Sequence, residues 1–509
     1  MISRVHSFIL QGIDATPCEI EADLSPVGLP KTTIVGLPDV AVKESIERVR
    51  TAVLNSGFRF PQSRVTINLA PADVRKEGPV YDLPIAVALL LAGGTIDPVA
   101  GDGRPQARDF LIAGELALDG RIRPVKGVIS LAQLAGELGV RGVIVPSANA
   151  SEAAAVDGIE VRGVETLGQL VALFNGQCQV PPHSTIDIES LIAERKPKVD
   201  FADVRGQEAA KRALTIAAAG GHNVLMLGPA GTGKTMMAKA LPGVLPPLSR
   251  AEALEVTRIY SSVGGLAPGQ PLMTRRPVRA PHHTASSPAI IGGGTIPRPG
   301  EVSLAHRGVL FLDEMPEFSR DVLETLRQPL EDGCVTVARA HGSVRFPARF
   351  MLVGALNPTP KGTMARDEVS QRAMEKYLSR MSAPLIDRID IHIEVPSVPY
   401  KQLASKQRGT DTTTIRQRVL DARQIQSQRQ GPGLINAELS GKALDRYVEL
   451  DDAAQTLLGQ AMTEIGLSAR AYDKIRRVAR TIADLEATER VQSHHIAEAV
   501  QYRLLDRIL

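Results

Sequence analysis

Short, nearly unbroken apolar runs punctuate the middle of the chain: NVLML (Asn223 to Leu227), GVLFL (Gly308 to Leu312), FMLVGAL (Phe350 to Leu356) and IHIEV (Ile391 to Val395). The first three do not alternate apolar with polar, whereas IHIEV does; all four are apolar strand candidates, expected to be covered on both faces. With helical stretches between them, they predict a mostly parallel sheet sandwiched by helices. From Pro396 the strands stop and the tail is helical. Its clearest segment, SARAYDKIRRVARTIADLEA, puts Tyr472, Ile475, Val478, Ala479, Ile482 and Leu485 on one face, with Ser468 as N-cap. The first part, Met1 to about Asn175, mixes both periods. FLIAGELALDGRIRPV has apolar-rich runs on either side of Asp119-Gly120, a dipeptide suited to the positive φ of a tight hairpin; KGVISLAQLAGELGV has helical spacing and GVIVP is strand-like. GQCQVPPHSTIDIESLIAERKPKV, from Gly176 to Val199, carries Pro181-Pro182 and a charged end and reads as a linker with one short helix. The pattern therefore predicts a mixed α/β domain over 1–176, a linker over 177–199, an α/β core over 200–395 and a helical domain over 396–509.

Composition narrows the class. At about 100 to 200 residues per domain, the 509 residues fit three domains, and 43% hydrophobic content is enough to cover several cores. Lys and Arg number 59 against 56 Asp and Glu, a net charge of +3, so any contact with nucleic acid must come from a local basic patch. Few aromatics and no Trp argue against an extensive base-stacking platform and favour backbone contact. Cys18, Cys178 and Cys334 lie far apart without CxxC spacing, which points away from disulfides and cysteine zinc sites and towards a reducing cytoplasm. MISRVHSFILQG lacks the apolar core of a secretory signal, and LPIAVALLLAGG falls short of the roughly 20 residues of a membrane span. An unanchored cytoplasmic protein is expected.

The strongest chemical signal is GPAGTGKT: Gly228, Pro229, Ala230, Gly231, Thr232, Gly233, Lys234 and Thr235. The glycines let backbone N–H groups curl around phosphates, Lys234 reaches the β- and γ-phosphates, and the Thr235 hydroxyl is placed to ligate Mg²⁺. A strand precedes the motif and the helical MMAKAL follows it, the setting this chemistry requires; ATP with Mg²⁺ is the implied ligand pair. Downstream, GVLFLDE ends in Asp313, expected to hold the metal through water, and Glu314, expected to orient and polarise the attacking water. The next strand ends at Asn357, whose amide can bind the γ-phosphate or that water. LSRMSAPLIDRIDIHIEV presents Arg380 and Arg388, either able to serve as an arginine finger in a neighbouring site, and Arg470 near the start of the tail helix can reach a nucleotide from the lid.

With these motifs in place the chain resembles the ComM (YifB) group of magnesium-chelatase-like AAA+ ATPases. The likeness is carried by VRGQEAAKRAL, GPAGTGKT, RAPHHTASSPAIIGGGTIPRPGEVSLAHRGVLFLDEMPEF, LRQPLEDG, PLIDRID and LSARAYDKIRRVARTIADLE. VTINLAPADVRKEGPVYDLPIAVALL and LIAGELALDGRIRPVKGV are similar to the Lon-type domain that opens such proteins. The resemblance implies an AAA+ P-loop core with a C-terminal helical lid, preceded by an α+β Lon-protease-like domain. It also implies a hexameric ring with ATP between subunits, Asp313 and Glu314 as Walker B, Asn357 as sensor, Arg388 as first choice for the finger and Arg470 as lid sensor. Two departures stand out. Where the Lon protease carries a Ser–Lys dyad, GPVYDL has Val80, Tyr81 and Asp82 and Ile129 stands at the lysine position, so no peptidase activity is expected. Where family members commonly carry cysteines after the sensor, this chain has Thr359 and Lys361.

The stretch APHHTASSPAIIGGG holds His282 and His283 without an acidic or thiol ligand, so zinc is not expected; on an extended segment the two rings would point to opposite sides. Arg275, Arg276 and Arg279 precede them and Arg298 follows, suggesting a mobile basic insertion, which by resemblance is the helix-2 insert projected towards a ring's pore. TVARAHGSVRFPARF predicts a β-hairpin around His341-Gly342-Ser343 with Arg339, Arg345 and Arg349 along it. These two protrusions make Arg275, Arg276, Arg279, His282, His283, Arg339 and Arg345 candidate DNA contacts. The resemblance implies a DNA helicase driving branch migration during natural transformation. The competing expectation is a chelatase-type or other ATPase that remodels a protein partner.

Overall fold

The computed structural model describes residues 2–27, 29–97, 104–193, 199–339, 342–357, 377, 379–399 and 409–503. Thr359, Lys361 and His341 lie outside them, as does the side chain of Arg339. The chain forms two compact units: Met1–Leu191 with Ser249–Thr274, and Ile192–Leu248 with Arg275–Leu509.

The first unit is built on a mixed seven-stranded sheet in the order Lys31–Val35, Arg64–Ala70, Asp14–Ser25, Ile2–Gln11, Phe110–Ile112, Gly142–Pro146, Glu160–Val164. Ile2–Gln11 and Asp14–Ser25 form an antiparallel hairpin, and the last three strands run parallel. Alternation along Ile2–Gln11 sorts side chains to two faces. Val5 and Ile9 join the core under helices Val40–Asn55 and Asp82–Ala92, while Phe8 joins the one under Val128–Leu138. The expected hairpin is present, with Glu115–Leu116 paired to Ile122–Arg123 and Gly120 at φ +83° in its turn. At the positions compared with a protease dyad, Tyr81, Asp82 and Ile129 are buried, and Asp82 takes the Arg48 guanidinium at 2.8 and 3.1 Å. Burial pushes the Asp82 carboxyl up, and the Arg48 bonds oppose it.

Helix Arg250–Val263, inside the stretch expected to be ATPase core, clusters with this first unit. A Ser249/Glu252 capping box starts it, and it packs on Val128–Leu138. Ser261 is its anchor: the hydroxyl accepts the Gly127 N–H at 3.0 Å and donates to the buried Glu152 carboxylate, while Arg258 pairs with Asp14. Motif order cannot show this excursion, because the anchors lie more than a hundred residues upstream.

The second unit carries a five-stranded, fully parallel sheet in the order Val278–Arg279, Val309–Leu312, Met351–Leu356, Val224–Leu227, Ile391–Glu394. All six residues of Met351–Leu356 are buried, as the unbroken apolar run predicts. Only Val278–Arg279, too short to carry a pattern, went unforeseen. Parallel strands deliver their carboxyl ends to one edge, and that edge receives Gly228, Asp313 and Asn357. The tail forms helices Thr412–Gln430, Gly441–Tyr447, Asp452–Ile465, Ala469–Leu485 and Ser493–Gln501, and one apolar cluster runs from the sheet into them. Ser468 caps Ala469–Leu485 by accepting the Ala471 N–H. That helix buries more than its apolar face, because Asp484 accepts from Arg429 at 2.9 Å, Arg480 at 3.1 Å and Asn436 at 2.7 Å.

Candidate nucleotide site

The phosphate loop owes its shape to glycines. A Cβ on Gly228 would sit 2.1 Å from the Val395 carbonyl oxygen of the neighbouring strand, and Gly231 and Gly233 hold φ of +80° and +93°. Helix Lys234–Ala240 follows directly. Lys234 Nζ donates to the carbonyls of Gly228 (2.6 Å) and Pro229 (2.8 Å) and to Asn357 Oδ1 (3.2 Å). Thr235 Oγ1 donates to Asp313 Oδ2 at 2.9 Å, and the Glu314 N–H to Asp313 Oδ1 at 3.0 Å. Burial pulls the Lys234 ammonium below the usual lysine range, while Asp313 and Glu314 push it back up. Four residues named from motifs thus meet at one strand edge in two hydrogen-bonded pairs, Lys234 with Asn357 and Thr235 with Asp313. Pro229 also accepts from Thr232 Oγ1, tying the loop to itself.

Two residues at this loop escape motif reading. Gln207, at φ 60°, donates from Nε2 to the Thr232 carbonyl at 3.3 Å and the Pro396 carbonyl at 2.7 Å. Val204 stands 4.0 Å from where a Gly233 Cβ would be. Their only signal in the sequence is VRGQE before the helix Glu208–Gly220.

Each arginine considered for the finger or the lid has partners in its own chain. Arg388 is bound by Glu331 and by the Pro384 carbonyl (2.6 Å), with a side chain only 11% exposed. Arg380 meets Glu317 at 2.9 Å and lies 5.6 Å from the Tyr377 ring centre. Arg470, 67% exposed, reaches Asp387 at 3.2 Å and so stands beside the Arg388 loop, with no recorded bond to the Lys234 set. Lys474, on the same helix, donates to the Ile389 carbonyl at 3.2 Å and lies 3.6 Å from Asp390; burial brings its ammonium down to about 8.

The double-histidine insert makes several bonds to its surroundings. Ala285 N–H bonds the His282 carbonyl at 2.9 Å, so the chain turns there and the two rings lie together, centroids 4.1 Å apart, instead of on opposite sides. Arg276 donates to the carbonyls of Pro246 (2.7 Å), Pro247 (3.2 Å) and Arg307 (2.7 Å), and Arg279 makes a two-pronged bond to Glu301 at 2.6 and 2.7 Å. The glycines serve a hairpin of Gly292–Gly293 with Arg298–Pro299, where a Cβ on Gly300 would meet Gly292 N at 2.3 Å. His283 Nδ1 faces Glu314 Oε2 at 3.7 Å, while His282 and Arg275 are exposed. The predicted second protrusion pairs Cys334–Arg339 with Gly342–Pro347, and Arg345 is exposed on it.

A second histidine pair, His494 and His495, gathers with Glu486 so that one ligand atom of each lies within 4.8 Å of the others. His495 Nδ1 accepts the Gln492 N–H at 2.9 Å, which leaves the proton on Nε2, facing Glu486 at 3.2 Å. The ring donates there, making the group a clamp between helices rather than a metal centre.

Family models match most of the chain: "Subunit ChlI of Mg-chelatase" over residues 20–149, "Magnesium chelatase, subunit ChlI" over 200–403 and "Magnesium chelatase, subunit ChlI C-terminal" over 409–503. Competence protein ComM of Haemophilus influenzae is 45% identical over 100% of this chain and 98% of its own length. The uncharacterized protein YifB of Escherichia coli is 42% identical over the same shares. The magnesium-chelatase 38 kDa subunit of Rhodobacter capsulatus is 29% identical over 33% of this chain and 52% of its own length. Together with the assembled phosphate-loop site, end-to-end identity at this level shows that the chain belongs to the ComM/YifB family of magnesium-chelatase-like AAA+ proteins.

Proposed function

We propose that the chain forms a hexameric ring whose subunits hydrolyse ATP to move on DNA, promoting branch migration when incoming DNA recombines. The observation that carries the reading is the meeting of two hydrogen-bonded pairs, Lys234 with Asn357 and Thr235 with Asp313, beside Glu314. Lys234 exchanges its loop carbonyls for β- and γ-phosphate oxygens, Asn357 orients the γ-phosphate or the attacking water, and Glu314 polarises that water. Mg²⁺ held by Thr235 and, through water, Asp313 would neutralise charge on the phosphates. Val204 and Gln207 border the phosphate loop. Arg470 bonds Asp387, the residue before Arg388, and neither arginine has a recorded bond to the Lys234 set, which supports their acting on a neighbouring subunit's nucleotide rather than on their own.

DNA is favoured as substrate because the relative matched from end to end is named a competence protein, whereas the chelatase subunit matches a third of the chain. Exposed Arg275, Arg298 and Arg345 supply the local positive charge that the balanced total lacks. The amino-terminal unit acts as a Lon-like module without peptidase chemistry, with Val80, Tyr81 and Asp82 in the turn compared with the protease serine and Asp82 paired to Arg48. The chelatase names of the family models favour the alternative, remodelling of a protein partner. Steady-state ATP hydrolysis with Mg²⁺, with and without single-stranded and forked DNA, separates the two. DNA stimulation that vanishes in Lys234→Ala is expected; hydrolysis indifferent to every DNA form moves the substrate to protein.

A further inference from the structure

Arg388 sits on a short connection whose backbone is held by side chains rather than by a helix or a strand ladder. Helix Ala383–Ile386 has ended before it, and strand Ile391–Glu394 has not yet begun. The carbonyls of Asp387, Arg388 and Ile389 therefore take their donors from elsewhere. Asn223, just before the strand that leads into the phosphate loop, donates from Nδ2 to the Arg388 carbonyl at 3.3 Å, and Arg503 donates to the Ile389 carbonyl at 2.6 Å. Lys474 spans the rest. Its Nζ donates to the Asp387 carbonyl and, at 3.2 Å, to the Ile389 carbonyl, so one ammonium grips the backbone on both sides of Arg388. The same ammonium lies 3.6 Å from Asp390, and the two side chains are only 9% and 8% exposed. Burial pushes the Asp390 carboxyl up, but Lys474 and His222 outweigh it and hold the group below the ordinary carboxylate range. Asp390 in turn accepts the Asn223 N–H at 3.0 Å, which ties the pair to the phosphate-loop strand. Arg470, four residues before Lys474 and so on the same helix face, reaches the Asp387 carboxylate.

We infer that Lys474 is a positioning residue for Arg388: by clamping the carbonyls on either side of it, Lys474 sets where the guanidinium reaches a neighbouring subunit's nucleotide. Glu331 and the Pro384 carbonyl engage that guanidinium within the chain, and a finger that leaves them for phosphate keeps its backbone clamp. This rests on the reading of Arg388 as a finger for the adjoining site.

The test mixes full-length subunits so that rings re-form, and measures kcat and KM for ATP together with binding of a fluorescent ATP analogue. Lys474→Met alone would strand the buried Asp390 charge, so it is combined with Asp390→Asn, which removes both charges and leaves an acceptor for the Asn223 N–H. This double variant is expected to lower kcat about ten- to a hundredfold, the scale of a misplaced group, with KM and analogue affinity unchanged. Lys234→Ala subunits, which keep Arg388 but lack a working site, should restore its rate on mixing. Arg388→Ala subunits, which keep the site but lack the finger, should not. A general weakening of the fold would not tell the two additions apart. Lys474→Gln, which keeps one donor for the two carbonyls, should show the same asymmetry with a smaller loss, and it carries the test if the double variant does not fold. A wild-type rate in the variants, or an equal response to both additions, overturns the inference while Arg388→Ala and Lys234→Ala subunits still complement each other. If those two do not complement, the reading of Arg388 fails and the inference with it.

Discussion

Two protrusions that look alike in sequence, the insert of residues 275–300 and the hairpin Cys334–Pro347, are held in opposite ways. Both are rich in arginine and carry glycine. In the insert, Arg276 and Arg279 are engaged by carbonyls and by Glu301, Val278–Arg279 joins the sheet, and His283 faces Glu314. In the hairpin, Val335, Val337 and Phe346 bury one face while Thr336 and Arg345, paired across the strands, stand in solvent with no ion pair recorded among the described residues. Whether a basic run contacts a polymer is therefore decided by which acceptors the fold brings within reach of it. In the proposed reading the insert serves the nucleotide site and the hairpin is the surface that meets DNA.

The sharpest way to break this contrast is Arg276→Ala. Its guanidinium clamps Pro246 and Pro247 to Arg307, which precedes the acidic strand, and removing it strands three carbonyls. Charge-assisted bonds of this kind, partly exposed, make a loss of about 2 to 4 kcal/mol the expected cost. Thermal and urea melting should show it, and Arg276→Lys should recover little, since one ammonium cannot span a planar three-point site. A variant that melts like wild type but binds DNA poorly would put Arg276 on the polymer surface and dissolve the distinction.

How far the sequence went follows from the range of each interaction. The parallel strands, the hairpin before Met351, the tail helix with its Ser468 cap and the Lys234, Thr235, Asp313 and Asn357 set were legible, because each depends on local periodicity or on a motif whose partners lie at strand ends. The placement of Arg250–Val263 was not: it depends on Gly127, Glu152 and Asp14, distant in sequence. Nor was the turn that stacks His282 on His283, since a single backbone bond to Ala285 overrides the extended geometry. Burial of Lys474, Arg480 and Asp484 on a helix read by its apolar face shows the same limit, as polar residues reveal their partners only once those partners are in place.

A smaller effect sharpens the contrast within the insert. Arg279 and Glu301 are 34% and 21% exposed, so solvent weakens a two-pronged bond that would otherwise be strong. A double-mutant cycle with Arg279→Ala and Glu301→Ala should return a coupling of about 1 kcal/mol. Arg279→Ala should also loosen the turn that carries His283 and lower kcat modestly. A coupling near zero would free Arg279 for the polymer.

The smallest change to the folded protein should come from Arg345→Ala, and that is what makes it informative. Arg345 has no recorded partner to lose, so melting should not move. DNA binding at low salt should weaken, and the slope of log affinity against log salt should fall by about 0.9 for each duplex phosphate contact removed, or about 0.7 on single strands. Six equivalent hairpins around a ring would multiply the change only for those whose subunits touch the strand, so the size of the slope change also counts the hairpins engaged. An unchanged slope would remove the hairpin from the contact surface and leave exposed Arg275 and Arg298, on the insert, to account for any DNA binding. The two protrusions would then exchange roles.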